Sequence, residues 1–93
     1  MSWIIEYYSP DIEQTILELA EGLLARYLRL TDLMLEFGTN LGMPLTRFIQ
    51  NELSELRIKS KEGIDRVFFC TKIGKRIIML HIFIKKSQKT PKK

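Results

Sequence analysis

The chain has 93 residues, of which 45% are hydrophobic and 28% charged, a composition too apolar for intrinsic disorder and a length that excludes two-domain enzymes, solenoids and dinucleotide-binding folds. No apolar run reaches the ~18–20 residues that cross a bilayer, the amino terminus lacks the basic flank of a signal peptide, and one cysteine (Cys70) with one histidine (His81) excludes an internal disulfide and a structural zinc site, so a soluble cytoplasmic protein without metal or cofactor is expected. The net charge of +4 conceals an asymmetry, because residues 1–65 carry all 11 acidic residues against 6 basic ones while residues 66–93 carry 9 basic and no acidic residues, a segment that suits nucleic acid, a lipid headgroup, an acidic protein or plain solvent.

Residues 3–8 form a short β-branched and aromatic run stopped by Ser9-Pro10, which predicts a strand and then a helix capped by Ser9 or Asp11. Ile12, Ile16, Leu19, Leu23, Tyr27, Leu30, Met34 and Phe37 follow at helical spacing, the stripe of a helix that packs on a core. Gly22 divides this run into expected helices at 11–21 and 23–37, and Gly38 ends the second. Residues 39–51, with Gly42 and Pro44, read as a loop with at most one helical turn.

From Leu53 the period changes to two, which predicts strands at 53–59, 64–71 and 76–84. The short glycine-bearing links at 60–63 and 72–75 make both connections hairpins. The fold class expected is therefore α+β, with one N-terminal strand, two helices and a three-stranded antiparallel meander. A four-residue first loop pairs Arg57 with Arg66, and a two- or four-residue second loop pairs Arg66 with His81. These three side chains would then form one row on one face, with Phe68, Cys70, Met79 and Phe83 as apolar company. Leu56, Ile58, Val67, Phe69, Ile78, Leu80 and Ile82 would face the helices as core.

Two arginines directly opposed on neighbouring strands repel each other, and an anion between them removes the conflict. Guanidinium groups match phosphate oxygens bidentately, and a histidine nearby moves protons near neutral pH. Such a row suits metal-free cleavage of RNA, where the 2′-hydroxyl is an internal nucleophile to be aligned and its phosphorane neutralised. The plainer reading is a solvent-facing strand with a packed histidine and a solvated lysine tail.

Two segments, residues 52–69 (ELSELRIKSKEGIDRVFF) and residues 80–91 (LHIFIKKSQKTP), together with Phe37-Gly38 and Leu41-Gly42-Met43-Pro44, resemble the phage-related HigB-like branch of the RelE/ParE toxin superfamily. The resemblance runs from about Leu24 to Pro91. It implies a single RelE/ParE-like toxin domain over 1–93, whose residues 85–93 are a basic tail where relatives continue into a helix. It further implies a type II toxin acting as a metal-independent, ribosome-dependent endoribonuclease on messenger RNA. Arg57, Arg66, His81 and Lys85 would carry the chemistry, His81 as acid or base, while Lys59, Lys86 and Lys89 would hold the RNA backbone. The partners implied are mRNA, the ribosome and a cognate helix-turn-helix antitoxin, through which oligomers would form; no membrane is involved. The chain departs from the family pattern at Ser54, Asp65 and Ile82. Alternatives are a gyrase-poisoning protein inhibitor of the same fold and a nucleic-acid-binding domain that does not cleave.

Overall fold

The computed structural model describes residues 3–72 and 74–84. Its elements in chain order are β1 (Ile4–Tyr7), α1 (Pro10–Leu17), α2 (Glu21–Phe37), β2 (Thr46–Gln50), β3 (Leu53–Ser60), β4 (Gly63–Lys72) and β5 (Arg76–Ile84). They form an α+β fold in which two helices cover one face of a single five-stranded mixed sheet of order β1-β5-β4-β3-β2. The basic stretch 85–93, including Lys85, Lys86 and Lys89, lies outside the described residues.

Helix α1 begins where its sequence is built to begin. Ser9 Oγ accepts from the Ile12 N–H at 3.4 Å, Pro10 occupies the first turn, and Asp11 and Glu13 place negative charge at the positive end of the helix. The break between the helices falls at residues 18–20, not at Gly22, which sits inside the first turn of α2. Gly22 faces the Glu62 carboxylate from the β3–β4 turn, whose exposed end a Cβ there would push aside. Ala20 offers α2 no side-chain cap, and Glu62 brings an anion to that helix end instead. Gly38 closes α2 at a φ of 94°, donating its N–H to Met34 O at 2.8 Å, with the Trp3 ring lying across it.

The sheet differs from the expected meander at both edges. Strand β1 pairs in parallel with the first half of β5, from Ile4 opposite Arg76 to Tyr7 opposite Met79, and Arg76 clamps Glu6 through bonds of 2.8 and 3.0 Å. Residues 46–50, expected to be loop, form edge strand β2, antiparallel to β3. A hairpin through Asn51 (φ 54°) and Glu52 joins them. Only Thr46 is buried in this strand, and the adjacent Phe48 and Ile49 break the apolar–polar alternation that would have marked it. Thr46 Oγ1 accepts from the Leu41 N–H at 3.0 Å and anchors the preceding loop.

The β3–β4 register is the expected one, with Arg57 opposite Arg66. The β4–β5 register is not. Lys72 pairs with Arg76, which leaves three residues between the strands, and Gly74 and Lys75 both take positive φ. A bulge then follows, because Phe69 pairs with Met79 but Phe68 with His81, leaving Leu80 as the extra residue. The two shifts together move His81 two residues along β4, from Arg66 to Phe68, so Phe83, not His81, stands opposite Arg66. They also correct the faces of β5. Ile77 and Met79 are fully buried, in place of the expected Ile78 and Leu80, and the bulge resets the phase so that Ile82 is buried and His81 exposed.

Ile16, Leu23, Tyr27, Leu30 and Met34 of the helices meet Leu56, Ile58, Val67, Phe69, Ile77, Met79 and Ile82 of the sheet in one core. Tyr27 is buried in it, its hydroxyl 2.8 Å from the Tyr7 hydroxyl. Burial and then the bond to Tyr7 push the Tyr27 phenol above the usual tyrosine range. The folded chain thus holds this proton where the unfolded chain releases it above ~pH 10, and stability falls as pH rises past that value, by up to ~1.4 kcal/mol per pH unit. Denaturant melts of wild type and Tyr27→Phe between pH 9 and 11.5 check this: the variant's stability should fall less steeply over that range.

Candidate arginine-lined anion site

Period-two alternation on β3 sends Leu56 and Ile58 to the core and Glu55, Arg57 and Lys59 to the opposite face. Cross-strand pairing then sets two rows on that outer face. One runs Arg47, Glu55, Phe68, His81 across β2, β3, β4 and β5; the next holds Arg57, Arg66 and Phe83. The first row was hidden from sequence reading because Arg47 lies on a strand taken for loop.

Glu55 governs the site. It is buried, with 4% of its surface exposed, and it accepts from Arg47 Nη2 at 2.9 Å and from Arg66 Nε at 2.6 Å. The repulsion expected between Arg57 and Arg66 is thus relieved from within, by a carboxylate that holds Arg66 away from its like. Arg57 receives no such relief: its Nε is buried without a hydrogen-bond partner among the described residues. An unpaired buried donor on a cation is costly to leave unmet, and an incoming anion meets it.

A cavity of about 120 Å³ opens at this point, lined by Met43, Pro44, Arg47, Glu55, Arg57 and Arg66. A second, of about 110 Å³, continues past Pro44 and Arg57 to Arg26 and Lys59. The rim is fixed by backbone bonds. Gly42 O accepts from the N–H groups of Leu45 and Thr46, and the Arg57 N–H donates to Leu45 O at 2.9 Å. Three arginines against one carboxylate leave the first cavity with an excess of positive charge.

Of the residues singled out from the sequence, Arg57, Arg66 and Lys59 line these cavities and His81 does not. His81 stacks on Phe68, ring centroids 6.5 Å apart and planes 16° from parallel. It borders a separate hollow with Asp11 and Thr15 of α1. Glu55, Arg47 and Arg26 went unrecognised. Glu55 had a readable signal, since it stands two residues before Arg57 and so shares its face. Among the described residues no group of three or more His, Cys, Asp or Glu side chains is arranged to hold a metal ion, and no helix is long and apolar enough to cross a membrane.

Residues 14–93 match the family described as Phage derived protein Gp49-like (DUF891). Two solved structures share the fold. An archaeal RelE–RelB complex from Pyrococcus horikoshii OT3 aligns with 89% of this chain and 94% of its own at 16% identity and a TM-score of 0.64. A mutant of E. coli toxin RelE in the free state aligns with 89% of this chain and 83% of its own at 13% identity and a TM-score of 0.57. Such identities show a common architecture and nothing finer. No curated protein matches the chain.

Glu55→Gln keeps the shape of the side chain and removes the charge that separates the arginines. The variant should lose about 1.5–3 kcal/mol of stability, and high sulfate should restore more of the loss in the variant than it adds to wild type, by neutralising the arginines from the cavity side. Thermal melts of both proteins with and without sulfate check this.

Proposed function

The chain belongs to the phage-derived Gp49-like family, and from that membership we propose that it is the toxin of a type II toxin–antitoxin pair, an endoribonuclease that cleaves messenger RNA without a metal. The observation that carries the proposal is the Arg57 guanidinium, unmatched and partly buried at a cavity with excess positive charge. The likeness to RelE in fold and the sequence resemblance to HigB-like toxins support the same reading.

In this mechanism Arg57 grips the scissile phosphate, and Arg66, oriented by Glu55, stabilises the charge that grows on the phosphorane. The 2′-hydroxyl attacks phosphorus and the bond to the 5′-oxygen breaks, giving a 2′,3′-cyclic phosphate and a 5′-hydroxyl end. His81, in the adjoining row, acts as acid or base on a substrate that crosses Phe68. Lys59 and Arg26 hold flanking phosphates, and the basic residues Lys85, Lys86 and Lys89 steer the RNA backbone. The ribosome presents the message, and a helix-turn-helix antitoxin covers the arginine face until it is removed. The archaeal RelE neighbour was solved with RelB, which supports an antitoxin partner here.

One observation favours a second reading, a nucleic-acid-binding domain that does not cleave: His81 lies outside the arginine cavity. Mapping of RNA 5′ ends after induction separates the two, because only cleavage creates new 5′-hydroxyl ends.

Arg57→Ala should lower single-turnover cleavage of ribosome-bound message about 10²–10³-fold, the effect of losing one transition-state donor. Its thermal midpoint should hold or rise, since the side chain has no hydrogen bond at Nε to lose. Arg66→Ala should lose cleavage and stability together, because it also frees Glu55. Equal cleavage rates for Arg57→Ala and wild type would overturn the assignment.

A further inference from the structure

A further hollow lies apart from Arg57 and Arg66. It is a groove of about 410 Å³ at the outer end of β2, on the helix-covered side of the sheet, lined by Thr39, Asn40, Phe48, Asn51 and Ser54 among others, with Arg47 at its margin. Its size is that of a small-molecule cleft. Phe48 forms one wall with 65% of its surface exposed, so its ring face is open to a partner. Ser54 lies directly opposite it on β3, and this small side chain leaves open the space beside the ring. Asn40 and Asn51 add amides, each of which can donate and accept.

Arg47 joins this groove to the first arginine cavity, for it lines both. One of its terminal nitrogens is held by Glu55, and its side chain is otherwise 60% exposed, so further N–H groups face outward. Strand β2 is the sheet edge, and among the described residues no strand lies beyond it to obstruct a chain that passes from one face to the other.

We infer that this groove receives the base of a nucleotide flanking the bound phosphate, stacked on Phe48 and read at its edge by Asn40 and Asn51, so that Phe48 is an RNA-binding residue and the two asparagines set base preference. The chemistry matches a single strand. An exposed aromatic ring stacks on any base, amides pair with base edges, and an arginine between the two hollows bridges to the intervening phosphate. The inference rests on the anion-site reading above and extends it to substrate choice.

The test uses the full chain and a 2′-O-methyl RNA hexanucleotide, which offers bases and phosphates without the internal nucleophile, with and without one abasic position next to its central phosphate. Phe48→Ala should weaken binding of the intact oligonucleotide ~5–150-fold, the usual range for one lost stack. The abasic oligonucleotide should bind wild type as weakly, and Phe48→Ala should not distinguish the two oligonucleotides. Phe48→Trp should preserve the discrimination, and Ser54→Phe, which fills the groove, should abolish it. Asn40→Ala and Asn51→Gly, the latter keeping the positive φ, should change the ranking of hexanucleotides of different base. If Arg57→Ala weakens binding while Phe48→Ala and the abasic position do not, the groove is no base site and the anion reading survives alone. Equal weakening of both oligonucleotides by Phe48→Ala would make the ring structural and overturn the inference. Indifference to Arg57→Ala as well would overturn both readings.

Discussion

A buried carboxylate between two arginines organises the outer face of the sheet. Glu55 sits at the centre of three strands, reaching Arg47 on β2 and Arg66 on β4. Without it the outer face would bring Arg47, Arg57 and Arg66 together with nothing to separate them. With it two of the three are fixed in direction and the third is left in want of an anion. The ion pairs also tie β2, a strand with little buried surface of its own, to the body of the sheet. Removal of Glu55 would therefore unsettle the edge strand and the loop over the cavity together, since Thr46 and Leu45 connect that loop to the same strands.

The second constraint lies in β5. A strand with continuous alternation would have brought His81 level with the arginines, a compact arrangement for phosphate chemistry. The three-residue connection and the bulge at Leu80 set it against Phe68 instead. The arginines thereby lie toward the β2 side of the outer face and the imidazole toward β5. Under the proposed function, an extended RNA strand would touch both, whereas a free phosphate would not.

The helices and the core were legible because their signals repeat: Ile16, Leu23, Tyr27, Leu30 and Met34 recur at helical spacing and all are buried. The Arg57–Arg66 pairing was legible because a short loop fixes register. What escaped had no repeating signal. Strand β2 buries only Thr46, and an edge strand pairs through its backbone, which sequence does not display. The parallel docking of β1 on β5 joins residues some seventy positions apart, as the Glu6–Arg76 bridge shows, and nothing local announces it. The bulge was invisible because Ile77, Ile78, Met79, Leu80 and Ile82 are all apolar, so either phase of alternation reads as core. Glu55 was legible in position but not in role, because its meaning depends on Arg47.

The bulge also bears on how this strand tolerates changes of length. Met79 points to the core, His81 away and Ile82 back again, so Leu80 is the one residue of β5 that stands outside the alternation. Its deletion would close the ladder while every other side chain of the strand kept its face. Loss of a neighbour would be absorbed only by moving Leu80 into the vacated place, facing outward in the stead of His81 or inward in the stead of Met79. Insertions and deletions in this part of the chain are thus unequal in consequence, and position 80 is where the strand can gain a flat, regular form without loss of its core.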